Sequence, residues 1–230
     1  MRVLCTICAR SGSKGLKNKN IKKINGKNLI CFTIEQAIKS KIFDNIVIST
    51  DSEKIQKITK KYQNKIGCWF LRSKSLSTDK APKIPVIKDA LKRSEEYFKK
   101  KFDYVIDLDP TSPLRLVKDI KIAFKLFKQK KADLLITGCE SRKNPYFNMF
   151  EIKNKKAKIV KKHKNTSFFN RQSSPKVYEM NASIYIWKRK SLITARKLFL
   201  NNTIAYIMPY ERSIDIDSEL DFQFVKKLIK

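Results

Sequence analysis

The chain has 230 residues, 42% of them hydrophobic, which suits one large domain with a buried core. Its 52 Lys and Arg against 21 Asp and Glu leave a net charge of +31, but lysines spread over nearly every segment, with only 10 arginines, argue against a nucleic-acid reader. With no apolar run near the ~20 residues of a membrane span, no secretory-signal pattern, and five scattered cysteines beside a single histidine, the expectation is a reduced, cytoplasmic, soluble protein without a zinc site.

In chain order, residues 3–7 read as an apolar strand, and 29–40 as a helix with Ile30, Ile34, Ala37 and Ile38 on one side. Strands follow at 45–49, 67–71, 104–108 and 133–138, alternating with helices at 52–62, 84–101 and 118–130. Helices of ten or so residues between strands imply βαβ units. The fold class is therefore α/β, a doubly wound, mostly parallel sheet with helices on both faces. Cys5 and Cys8, three apart in the first strand, face opposite sides of it.

The periodicity changes after Glu140. Short alternating runs at 148–152 and 157–160 read as a small β-rich insertion that buries little apolar surface alone. A strand at 180–187 returns to the sheet, followed by a helix at 191–200, a strand at 205–208 and a closing amphipathic helix at 218–229. The domain reading is 1–141 with 177–230 as one nucleotide-binding α/β unit, interrupted by an inserted arm at 142–176.

Five segments carry chemistry. The loop after the first strand packs Arg10, Ser13, Lys14, Gly15, Lys17, Lys19 and Asn20 into eleven residues, where glycines and cations suit a phosphate. It matches neither a GxxxxGK[ST] loop nor a GxGxxG loop, so an ordinary solvated turn is the competing reading. It sits where open parallel sheets bind ligands, at the carboxyl end of a strand. Near the other end, Asp215 and Asp217 flank Ile216 and, if extended, project together. Such a pair repels unless a hard divalent cation joins it; an exposed edge with one Asp as helix cap is the alternative. The 108–115 turn holds two prolines with Asp109 and Arg115, serving either a ligand or the turn itself. Asp51 or Ser52 most simply caps the following helix. Asn181 and Tyr185 line a pocket or pack in the core, and His163 reads as a solvated residue of the insertion.

CARSGSKGxxxKN, STDS, DPTSPLR, MNASIYI and ERSIDIDSELDF, in this order, resemble the acylneuraminate cytidylyltransferase family over essentially the whole chain. Segments 6–10, 85–91, 144–148 and 171–176 look most like the bacterial CMP-legionaminic acid synthetases. The resemblance implies a nucleotide-diphospho-sugar-transferase-like fold and a reaction. The anomeric hydroxyl of a nine-carbon sugar acid attacks the α-phosphorus of CTP, giving a CMP-sugar and pyrophosphate. It implies Arg10, Lys19 and Asp215 as catalytic residues, and Arg10, Ser13, Lys14, Gly15, Lys19, Asn20, Arg72 and Lys83 at the nucleotide. Asp215 and Asp217 match a magnesium (Mg2+) pair, and Asp109, Phe147, Gln172, Asn181 and Tyr185 match positions near the sugar. It also implies a homodimer whose 142–176 arm borders the partner's site.

The chain departs from neuraminate-specific members at Asp109, Phe147 and Glu179, which carry Gln, Lys and Arg there. Asp109 is costly beside a sugar acid unless it bonds a hydroxyl, an amide N–H or a cation. A less polar Phe147 suits a 9-deoxy, N-acylated sugar. The expectation is a legionaminate-type acceptor, with neuraminate or 3-deoxy-octulosonate as alternatives. The different-class alternative is a basic nucleic-acid-binding protein, against which the acidic pair argues.

Overall fold

A computed structural model describes residues 1–12, 15–162 and 168–229. The expected Ser13, Lys14 and His163 assignments lie outside the described residues. In chain order the elements are β1 (Val3–Cys8), β2 (Lys23–Ile24), β3 (Lys27–Asn28), α1 (Leu29–Ser40), β4 (Asn45–Ser49), α2 (Glu53–Thr59) and α3 (Lys83–Phe98). Then come β5 (Tyr104–Leu108), α4 (Val117–Gln129), β6 (Leu134–Glu140), β7 (Phe150–Lys153), β8 (Lys156–Ile159), β9 (Tyr178–Lys188), α5 (Arg189–Thr194), β10 (Thr203–Ile207) and α6 (Glu219–Leu228).

Six strands form one sheet in the order β10-β6-β9-β5-β1-β4. The β10–β6, β5–β1 and β1–β4 pairs are parallel, and β9 runs antiparallel between β5 and β6. Alternation within the strands divides the core between two faces. Val3, Cys5 and Ile7 of β1 pack with Ile30 and Ile34 of α1, Ile55 of α2 and Phe124 of α4. Leu4 faces the other way, with Ile87 and Leu91 of α3, Trp187 of β9 and Leu192 of α5.

A third, smaller cluster positions the site. Leu16 from the loop after β1, Ile24, Leu29, Ile216, Phe222 and Val225 are all buried together. At about 1.5–3 kcal/mol for each fully buried large side chain, this cluster is strong enough to hold both ends of the chain side by side.

Three elements differ from their sequence expectation. Residues 67–71 make only two bridges, Val47 to Gly67 and Thr50 to Leu71, in place of a strand. The Trp69 ring folds over Gly67, filling the space a side chain there would need. The helix expected over 191–200 ends at Thr194, whose hydroxyl bonds back to the Lys190 and Ser191 carbonyls, while Lys88 Nζ caps the Ala195 carbonyl at 2.8 Å. The 52–62 helix is α-helical only to Thr59 and tightens into a 3-10 turn over Lys60–Tyr62. In the insertion, β7 and β8 pair antiparallel as a separate two-stranded sheet. Asn154 and Lys155, both left-handed (φ 51° and 63°), make its two-residue turn.

Candidate active site

The loop after β1 lies at the carboxyl ends of β1, β4 and β5, as expected for a ligand loop in this kind of sheet. Ser11 ties it down, its N–H and hydroxyl each bonding the Asp51 carboxylate at 2.7 Å. The helix cap is Ser52, whose Oγ accepts from Ile55 N–H, so Asp51 serves the loop and not α2. Asn20 donates to the Arg10 carbonyl at 2.9 Å, and its buried Oδ1 has no partner. Gly15 lies against the Asp217 backbone so closely that any Cβ would collide with the Asp217 carbonyl oxygen.

The acidic segment reaches the same place from the far end of the chain. Ile216 anchors it in the third cluster and donates its N–H to the Thr111 carbonyl at 3.0 Å. Ser218 caps α6 reciprocally with Asp221, and Asp221 also accepts from the Asp217 N–H, which fixes the turn carrying Asp217. Lys19 Nζ bonds Asp217 Oδ1 at 2.8 Å.

These parts line one cleft of about 260 Å³. Of the residues proposed from sequence, it gathers Arg10, Lys19, Asn20, Arg72, Lys83, Asp109, Asp215 and Asp217. Asp109 has a cation: Lys83 Nζ lies 2.7 Å from its Oδ2, and Thr111 donates N–H and hydroxyl to its Oδ1. Burial works to raise the Asp109 carboxyl, but Lys83 and the Thr111 bonds outweigh it and hold it at about 2. Burial likewise opposes charge on Lys83, yet Asp109 and Asp107 keep it well above the usual lysine range. Asp107 is buried inside β5, 3.2 Å from Lys83 and bonded by Thr6 and Cys8. Sequence reading missed it, because one Asp inside an apolar run looks like part of the strand.

Asp215 behaves in the opposite sense. Burial first, then the Asp109 and Asp217 charges, push its carboxyl up to about 6 against the opposing pull of Thr111 and Lys19. Its Oδ1 is buried without a partner. Among the described residues no group of three or more His, Cys, Asp or Glu is placed to hold a metal. Two carboxylates, one carrying an orphaned oxygen, are oxygen donors of the kind that a hard divalent cation takes.

The other proposed residues lie elsewhere. Asn181 is buried and satisfied by Thr137, Ser183 and Ser213, so it stitches β9 to the segment leading to Asp215. It precedes Ala182, left-handed at φ 51° beside the register shift between β6 and β9. Tyr185 is buried beneath Lys83, whose Nζ sits 4.4 Å from its ring centre. It borders a second, apolar cavity of about 280 Å³ with Ile84, Ile87, Trp187 and Leu198. Gln172 lines a cavity at the base of the arm with Asn144 and Arg171, and Phe147 sits in a turn of the arm, its N–H bonded to the Asn144 carbonyl. Neither lines the central cleft. Arg115 is fully buried and bonded to Ser183, Thr33, Gln36 and the Asp109 carbonyl, a structural clamp and not a ligand arm.

Residues 4–228 match the family model described as Cytidylyltransferase. The chain is 53% identical to the post-translational flagellin modification protein B of Campylobacter coli, over 99% of this chain and 95% of that protein. It is 50% identical to the CMP-N,N'-diacetyllegionaminic acid synthase of Campylobacter jejuni, over 99% of this chain and 94% of that one. In structure it is similar to CMP:2-keto-3-deoxy-manno-octonic acid synthetase complexed with CTP, with a TM-score of 0.72 at 14% identity, over 100% of this chain and 98% of the other. At that identity the likeness is one of fold.

Proposed function

The chain belongs to the cytidylyltransferase family, and from that premise we propose that it activates a nonulosonic acid of the legionaminate type with CTP. The observation that carries this reading is the single cleft in which Arg10, Lys19 and Arg72 face the Asp215 and Asp217 carboxylates. The acceptor's anomeric hydroxyl attacks the α-phosphorus, the bond to the β-phosphate oxygen breaks, and pyrophosphate leaves. Arg10 and Lys19 hold the triphosphate and offset the charge that grows on the leaving pyrophosphate. Arg72 and the free Oδ1 of Asn20 orient the nucleoside. Asp215 and Asp217 hold magnesium, which when bound neutralises phosphate charge and lowers the pKa of an attacking hydroxyl.

The acceptor assignment draws on the 50% identical diacetyllegionaminate synthase and on the apolar cavity beside Lys83, which suits an acyl group better than a polyol. Phe147 and Gln172 lie outside their own chain's cleft, as an arm that serves a second copy's site requires. Exposed Phe150, Ile152, Phe169 and Tyr178 on or beside that arm favour the same homodimer.

The test supplies CTP and magnesium with legionaminic, neuraminic, pseudaminic and 3-deoxy-octulosonic acids and counts pyrophosphate. Fastest turnover with the legionaminic acid is expected, and Asp217→Ala should lose at least about a hundredfold in kcat with its melting temperature little changed. No release with any acceptor sinks the enzyme reading, and preference for neuraminate sinks the acceptor assignment.

A further inference from the structure

Arg10, the first cation of the phosphate loop, is already occupied. Its guanidinium pairs with the Asp79 carboxylate at 2.5 Å, both side chains about one third exposed at the rim of the cleft. Asp79 belongs to a strap, residues 73–82, that also engages the second cleft cation: Arg72 Nε bonds Ser77 Oγ at 3.3 Å. The strap carries one 3-10 turn, Lys74–Leu76, contributes no member to the hydrophobic clusters, and exposes Ser73, Lys74, Ser75, Thr78, Asp79 and Lys80.

We propose that Asp79 is an internal anion that sits on the phosphate-binding Arg10 of the nucleotide-free enzyme and is displaced by the triphosphate, so that the strap moves as nucleotide binds. This rests on the CTP reading above. A carboxylate and a phosphate oxygen compete for the same N–H fork of arginine, and a triphosphate brings several charges against one. The strap therefore sets CTP affinity below what Arg10 alone would give, and its return to Arg10 favours release of pyrophosphate.

Titration calorimetry with CTP and magnesium at physiological salt, on the full chain, tests this. Asp79→Asn and Asp79→Ser should each bind CTP about three- to fivefold more tightly than the unmodified protein, the scale of losing a partly exposed competing pair. Glu96→Gln, a matched charge change at an exposed carboxylate of α3 that lines neither cavity containing Arg10, should stay within about twofold. Without nucleotide, trypsin should cut after Lys74 or Lys80 sooner in Asp79→Asn, because the strap has lost its latch. Unchanged or weaker CTP binding in both Asp79 variants overturns the proposal, as does equal tightening in Glu96→Gln. If no form of the protein binds CTP, the functional reading fails instead.

Discussion

Gly15 is the residue on which the two halves of the site meet. Its missing side chain lets the loop after β1 lie on the Asp217 backbone, so a methyl group there must push the cations and the carboxylates apart. Catalysis of this kind depends on placement, and small displacements are expensive. Gly15→Ala is therefore expected to lower kcat/KM at least about tenfold while calorimetric unfolding shifts by only a few degrees; an unchanged kcat/KM would disconnect the loop from the acidic segment. At this scale the sequence was only partly readable. Residues near Gly and Asp motifs stood out, whereas Asp107 did not, because its role comes from a partner outside its own strand, Lys83. Arg115 left two readings open, and full burial against carbonyl and hydroxyl acceptors decides between them.

Among the elements, α3, α5 and the start of β5 are joined through one carboxylate. Glu95 takes Arg189 Nε at 2.6 Å, Arg189 NH2 at 2.9 Å, Lys101 Nζ at 3.0 Å and the Phe102 N–H at 3.2 Å. Burial alone would raise its pKa, but these donors outweigh it and hold the carboxyl below its ordinary 4.5. A depressed folded value means that the stabilisation is complete above the unfolded pKa and is lost as pH falls through the folded one. Hydrogen bonds to a charged group contribute about 1.5–3 kcal/mol, so Glu95→Gln should cost about that much in urea unfolding at pH 7. The gap to the unmodified protein should narrow as pH falls below 4.5 and close only once pH passes the depressed folded value. A gap independent of pH would mean that packing, not charge, joins these elements. Most elements were readable from period alone, since α1 and β4 stand where apolar spacing places them. The β2–β3 pair was not, because two-residue strands carry no period; Asn25 and Gly26, both left-handed, were its signal. The antiparallel sense of β9 was equally hidden, as strand direction follows from connections and not from composition.

For the whole molecule, a net charge of +31 opposes any association of two copies. The arm carries Lys153, Lys155, Lys156, Lys158, Lys161 and Lys162 next to its exposed apolar residues, so contact there works against its own charge. Light scattering behind a sizing column should give twice the 26.9 kDa chain mass at moderate salt and a shift towards the single chain as salt is lowered. Phe150→Asp with Ile152→Asp should give the single-chain mass throughout; a dimer that survives both changes would place the interface off the arm. Lys19 and Asp217, finally, meet although they stand 198 positions apart in the chain. A ribosome delivers Arg10 and Lys19 of this cleft early and its acidic pair, Asp215 and Asp217, long afterwards. A nascent chain still short of Asp215 carries Arg10 and Lys19 without the acidic pair that they face, so the cleft is completed in a single late step of synthesis.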